Sequence, residues 1–96
     1  MWQPVIYEFN RFEAHLMGQT FYKKFEIGKI LREGRYLDVA QNMLAQELIT
    51  LTPLEKQEKG RKFGFKMHIT DKGKEAWVNF GRKAANLQPI VMEKKL

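Results

Sequence analysis

Gln41, Asn42 and Gln46 carry side-chain amides able to pair bidentately with an adenine edge. Close by in the chain, Asp38 can accept from a cytosine amino group, and Arg35 can meet guanine or a phosphate. Tyr36 stands among them. Leu37, Ala40, Leu44 and Leu48, with Met43 adjoining, recur at helical spacing, which turns Asp38, Gln41, Asn42 and Ala45 to the opposite face. The chemistry this suggests is hydrogen bonding to base edges. A solvated polar helix face would look the same, and an uncompensated carboxylate at Asp38 is repelled by phosphates.

A second group follows. Residues 55–66 hold five cations, Lys56, Lys59, Arg61, Lys62 and Lys66, against Glu55 and Glu58. This stretch supplies half of a net charge of +6. Such a cluster at the tip of a hairpin suits phosphate contact or insertion into a minor groove. The plain alternative is a lysine-rich loop that keeps a sheet edge soluble. Lys23, Lys24 and Lys29 could add backbone contacts.

Other chemistries find no residues. The chain has no cysteine, so a disulfide framework and a thiol nucleophile are excluded. His15 and His68 are far apart and have no companion at metal-ligand spacing. No Ser-His-Asp order, glycine-rich phosphate loop or paired carboxylate motif stands out. The expectation is a protein that is not an enzyme, with no cofactor, no metal and no small-molecule ligand. Lys and Arg number 17 against 11 Asp and Glu, a balance that attracts polyanions, of which nucleic acid is the commonest. No run approaches the ~20 apolar residues of a membrane span, and Met-Trp-Gln-Pro lacks the features of a secretory leader. A cytoplasmic location without membrane association is expected.

The elements that must position these residues follow from periodicity. Pro4 suits a first helical turn, and Val5, Phe9, Phe12 and Leu16 form a stripe that predicts a helix to about Met17, ended by Gly18. Thr20 reads as the N-cap of a second helix with Phe21, Phe25, Ile30 and Leu31 as its apolar positions, and Lys23 and Lys24 on it. The third helix, carrying the base-edge residues, ends near Glu47. Ile49–Thr52 reads as a strand with Pro53 at an edge or bulge. Phe63, Phe65, Met67 and Ile69 alternate with Gly64, Lys66 and His68, as in a half-buried strand of an antiparallel pair. Thr70 is a predicted N-cap with Asp71 in the first turn, and a last helix carries Trp77, Phe80, Ala84 and Leu87 up to Pro89. The aromatic residues Phe9, Phe12, Phe21, Phe25, Phe63, Phe65, Trp77 and Phe80 all fall on predicted buried faces, which leaves no base-stacking platform. Trp2, Tyr7 and Tyr22 are less well placed.

The segments Asn42-Met43-Leu44-Ala45-Gln46-Glu47-Leu48-Ile49 and Phe65-Lys66-Met67-His68-Ile69-Thr70-Asp71-Lys72-Gly73-Lys74-Glu75-Ala76 resemble a winged helix-turn-helix domain of the MarR, PadR and ArsR type of transcriptional regulator. The first is similar to a recognition helix running into a wing strand, the second to the wing's exit. The resemblance is strongest over residues 36–80, while residues 1–35 support it only through helix count. Two departures stand out: Glu47 occupies a position that is usually Gly or small, and a short strand between the first two helices is not evident around Met17–Thr20.

The resemblance implies an α+β fold of three helices, a two-stranded antiparallel wing and a C-terminal helix, as one domain with core 4–88 and a basic tail 89–96. It implies sequence-selective binding of double-stranded DNA by a small transcriptional regulator. Arg35, Tyr36, Asp38, Gln41, Asn42 and Gln46 would sit on the recognition helix, and Lys56, Lys59, Arg61 and Lys62 in the wing. Lys23 and Lys24 would meet backbone. One such module covers only about 600–1,000 Å², so a homodimer is expected, joined through the last helix and Ile90-Val91-Met92. The competing readings are a winged-helix adaptor that binds protein, and an accessory DNA-binding factor of a phage or mobile element.

Overall fold

The computed structural model describes residues 3–32, 34–55, 60 and 63–92. The described elements are α1 (Arg11–Lys23), β1 (Lys29–Arg32), α2 (Arg35–Ala45), β2 (Ile49–Pro53), β3 (Gly64–Ile69) and α3 (Asp71–Ala84). The fold is α+β as expected, but with three helices and a three-stranded antiparallel sheet in place of four helices and two strands. The sheet order is β1-β3-β2, so β3 is central.

Both differences arise in the first third of the chain. Residues 3–10 form neither helix nor strand, because α1 starts where its polar residues can cap it. Asn10 accepts from the Glu13 amide at 2.8 Å and the Glu13 carboxylate accepts from the Asn10 amide at 3.0 Å, a reciprocal capping box. Gly18 is therefore interior to α1, and Thr20 is no N-cap. Its buried hydroxyl donates back to the Leu16 carbonyl within the helix. The second predicted helix does not exist. Its first turn is the end of α1, and Ile30-Leu31 belong to β1, paired with Lys66 and Phe65 of β3. Gly28 makes the turn between them at φ +83°, and a Cβ there would press on the Lys66 and His68 side chains.

All three helices pack on one side of the sheet. Leu31, Met67 and Ile49 meet Leu16, Met17, Met43, Leu48, Ala76 and Phe9 in the core. Phe9 is the hub of an edge-to-face group with Tyr7, Trp77 and Phe80. The opposite sheet face carries Ile30, Lys66, His68, Thr50 and Thr52, with Ile30 half exposed. The expected alternation over 63–69 is only partial: Met67 is buried in the core, Gly64 is buried beside the Leu54 and Arg32 side chains, and Phe63, just before β3, is exposed. Phe12 and Phe25 are also exposed, and Leu87 lies beyond the end of α3 in solvent, against expectation.

The segment from α2 to α3 follows its sequence signals closely. Glu47 is the C′ residue of α2 with φ +62°, its amide bonded to the Leu44 carbonyl and that of Leu48 to the Met43 carbonyl. These two bonds form a Schellman motif, in which glycine is the usual residue at this point. Thr70 caps α3, its hydroxyl accepting from the Gly73 amide at 2.9 Å. A Cβ on Gly73 would fall 1.9 Å from the Leu48 carbonyl oxygen. The Thr-Asp-Lys-Gly stretch thus joins the start of α3 to the turn after α2.

Two buried polar side chains of α3 hold the ends of the chain. The Glu75 carboxylate accepts from the Val5 amide at 2.5 Å and, with its other oxygen, from the Met92 amide at 2.7 Å. One turn on, the Asn79 amide nitrogen donates to the carbonyls of Val5 and Ile90, and its oxygen accepts from the Ile90 amide. An exposed ion pair, Lys83 with Glu8, adds to this join. Among the described residues, no helix is long and apolar enough to cross a membrane.

Candidate nucleic-acid interface

The best-defined candidate surface is α2. Arg35, Asp38, Asn42 and Ala45 succeed one another at spacings of three and four, with the C-cap Gln46 four after Asn42, so they share one side of the helix, and all are exposed. Gln41 is exposed at the margin of that stripe, with its side-chain nitrogen donating to the Leu37 carbonyl of its own helix at 3.3 Å. Tyr36 departs from the expected alignment. It projects from the first turn on the side of the buried residues Ala40 and Met43, half exposed. The apolar set predicted to face inward does so, with Ala40, Met43 and Leu48 buried and Leu37 and Leu44 partly so.

The direction of α2 is set by the sheet. β1 ends at Arg32, opposite Gly64, where the connection between β2 and β3 leaves the sheet. Gly34 then starts α2 without a side-chain cap, so the positive end of the helix dipole and Arg35 lie at that same end of the sheet. The Arg35 guanidinium stands 5.9 Å from the centre of the exposed Phe12 ring. Asp38, in the first turn, offsets part of the positive potential. Eleven residues carry α2 roughly 16 Å to the far end, where Ile49 pairs with Ile69.

Lys56, Lys59, Arg61 and Lys62, the cations expected to form the wing, lie outside the described residues, as does Trp2. Lys23 and Lys24 are exposed, but not on a second helix: Lys23 is in the last turn of α1 and Lys24 is its C-cap. Gly28 links them to the start of β1, so they sit at the end of that strand remote from the connection between β2 and β3. Lys23 and Lys24 therefore form a separate patch and do not extend the first turn of α2.

Away from α2, the Tyr7 hydroxyl is pushed up to about 12 by burial, reinforced by its hydrogen bond to Glu13 and by the charge of that carboxylate. Among the described residues, no group of three or more His, Cys, Asp or Glu could hold a metal ion. A small cleft of about 100 Å³ lies elsewhere, its lining including Ile6, Tyr7, Phe80, Leu87 and the Glu8–Lys83 pair.

Sequence reasoning missed the roles of Glu75 and Asn79. The available signal was two polar residues four apart on the otherwise apolar side of α3, interleaved with Ala76 and Phe80. It also misses the exposure of Phe25 and leaves Tyr22 unplaced, because the expected second helix runs past the turn that Gly28 makes. The chain was compared with family models, with curated proteins and with solved structures, and none of the three gave a match.

Proposed function

We propose that the chain binds double-stranded DNA in the manner of a winged helix, as a small sequence-selective regulator. In this reading α2 enters the major groove with Asn42 and Gln46 toward base edges and Arg35 toward guanine or a phosphate. The hairpin carrying Lys56, Lys59, Arg61 and Lys62 crosses the neighbouring backbone. Lys23 and Lys24 serve a more distant stretch of backbone.

One observation carries the reading: the outward side of α2 is an exposed polar stripe whose Arg35 end lies where the connection between β2 and β3 leaves the sheet. The net charge of +6 supports it. Against an adaptor, which would anchor a protein partner through apolar groups, this stripe offers only Ala45. The pairing of β2 with β3 and the place of β1 on the far side of β3 suit a winged sheet, while a single helix, α2, stands between β1 and β2 where a helix-turn-helix has two.

A dimer would let two such modules read paired half-sites. Ile6, Leu87, Ile90 and Val91 are exposed where the two ends of the chain flank α3, and they offer apolar area for self-association. Sedimentation equilibrium measures this part independently.

Titration of labelled duplex DNA at several salt concentrations tests the function. A slope of log affinity against log salt of about −0.9 per phosphate contact is expected, reduced by about 1 for each wing cation replaced by alanine. Affinity that is insensitive to salt, or untouched by replacing Lys59, Arg61 and Lys62, would sink the reading.

A further inference from the structure

We infer that the aromatic corner at the end of α1 holds unpaired bases of a single-stranded nucleic acid, stacked on Tyr22, with Lys23 and Lys24 meeting the flanking phosphates. Three rings make this corner. Phe21 lies between the other two, its ring centre 5.3 Å from Tyr22 and 5.5 Å from Phe25, both edge-to-face. The Lys74 ammonium, from α3, stands 5.6 Å from the centre of the Phe25 ring. Tyr22 is 75% exposed and Ile27 60%, so neither ring nor aliphatic side chain is used by the core. Lys23 and Lys24 follow Tyr22 directly and are exposed, and Lys66 lies against Gly28, where the turn closes onto the sheet. Glu26 is the acid of this stretch.

A patch that presents an open aromatic ring at its centre and cations around it fits a ligand that pairs an aromatic ring with negative charge. A nucleotide is such a ligand. In a duplex the base faces are hidden in the stack, so a ring this open is served by unpaired bases. A lipid surface fits less well, because an interfacial helix must lay down a free apolar face, and that face of α1, with Leu16 and Met17, is fully buried in the core. The corner lies at the end of β1 remote from the first turn of α2, and the inference does not rest on the duplex reading.

The test is fluorescence anisotropy of the full chain with a short oligothymidine. Tyr22→Ala should weaken binding by about 5- to 100-fold, Tyr22→Trp should retain it, and the Lys23→Ala, Lys24→Ala pair should lower the salt slope by about 1.4. Asn42→Ala with Gln46→Ala should leave oligothymidine binding unchanged, which separates this surface from α2. Far-ultraviolet circular dichroism checks that each variant is folded, as expected for so exposed a position. Failure of the wild-type chain to bind oligothymidine would overturn the inference, as would equal binding by folded Tyr22→Ala. Tyr22-dependent sedimentation with phosphatidylserine vesicles, without oligothymidine binding, would overturn it in favour of a membrane.

Discussion

The hydroxyl of Thr70 donates to the backbone carbonyl of Glu47 at 2.7 Å, so the residue that caps α3 also clasps the turn that ends α2. The Thr70 amide strengthens the clasp by donating to the Leu48 carbonyl at 3.1 Å. One threonine thus satisfies a helix N-terminus and fixes the path of the chain from α2 into β2. The position of the candidate surface depends on this join.

Thr70→Val keeps the shape but loses both hydrogen bonds of the hydroxyl, and it should cost about 1–2 kcal/mol, with Thr70→Ser recovering most of it. Gly73→Ala should cost more, about 3 kcal/mol, because its methyl would fall on the Leu48 carbonyl and α3 would have to move. Urea unfolding measures both. Equal stability of Gly73→Ala and the parent would mean that the approach of α3 to this turn is looser than described.

At Glu47 the opposite sign is expected. A glutamate at φ +62° bears the left-handed conformation without the freedom of glycine. Glu47→Gly should stabilise the fold by about 0.5–1 kcal/mol, read as a higher urea midpoint with an unchanged slope. Asn86 occupies the same position at the end of α3, with φ +59°. Asparagine tolerates that region, so Asn86→Gly should gain less than Glu47→Gly.

How much of this was legible differs along the chain. Thr70, the positions of β2 and β3 to within a residue and the two sides of α2 could be read because local chemistry and packing agree there. The start of α1 could not be read from hydrophobic spacing, since Val5, Phe9 and Phe12 fit a helix that the chain does not form. The Asn10-Glu13 capping pair was the better signal. β1 is four residues long and is made a strand by pairing with β3, more than thirty residues later in the chain, a long-range effect that spacing within residues 20–32 does not contain. The exposed rings of Phe12 and Phe25 follow from the same two displacements. On α2, periodicity correctly gave exposure, but not that Tyr36 turns away from the stripe.

Alkaline pH should weaken the fold through Tyr7. The folded state favours the neutral phenol, with its pKa pushed up to about 12, whereas an unfolded tyrosine ionises near 10.0. The stabilisation is therefore complete below pH 10 and is lost as pH rises from 10 toward 12. Urea midpoints followed through that range should fall more steeply for the parent chain than for Tyr7→Phe. Parallel curves would show that the Tyr7–Glu13 bond does not carry the effect.

Glu75→Gln tests how the chain ends are held. Both carboxylate oxygens accept from backbone amides, and an amide side chain can replace only one acceptor. Faster hydrogen exchange at the amide of Val5 or Met92 is expected, with a stability loss of about 1–3 kcal/mol. Unchanged exchange at both amides would remove Glu75 from this role.

The most direct measurement of the proposed duplex contact is a nuclear magnetic resonance titration of the isotope-labelled chain with double-stranded DNA. The account predicts that amide shifts concentrate at Arg35, Asp38, Asn42 and Gln46 and at the residues joining β2 to β3, while Thr50 and Thr52 on the outward sheet face stay in place. Shifts confined to that sheet face or to the chain ends, with α2 unmoved at saturating duplex, would contradict it.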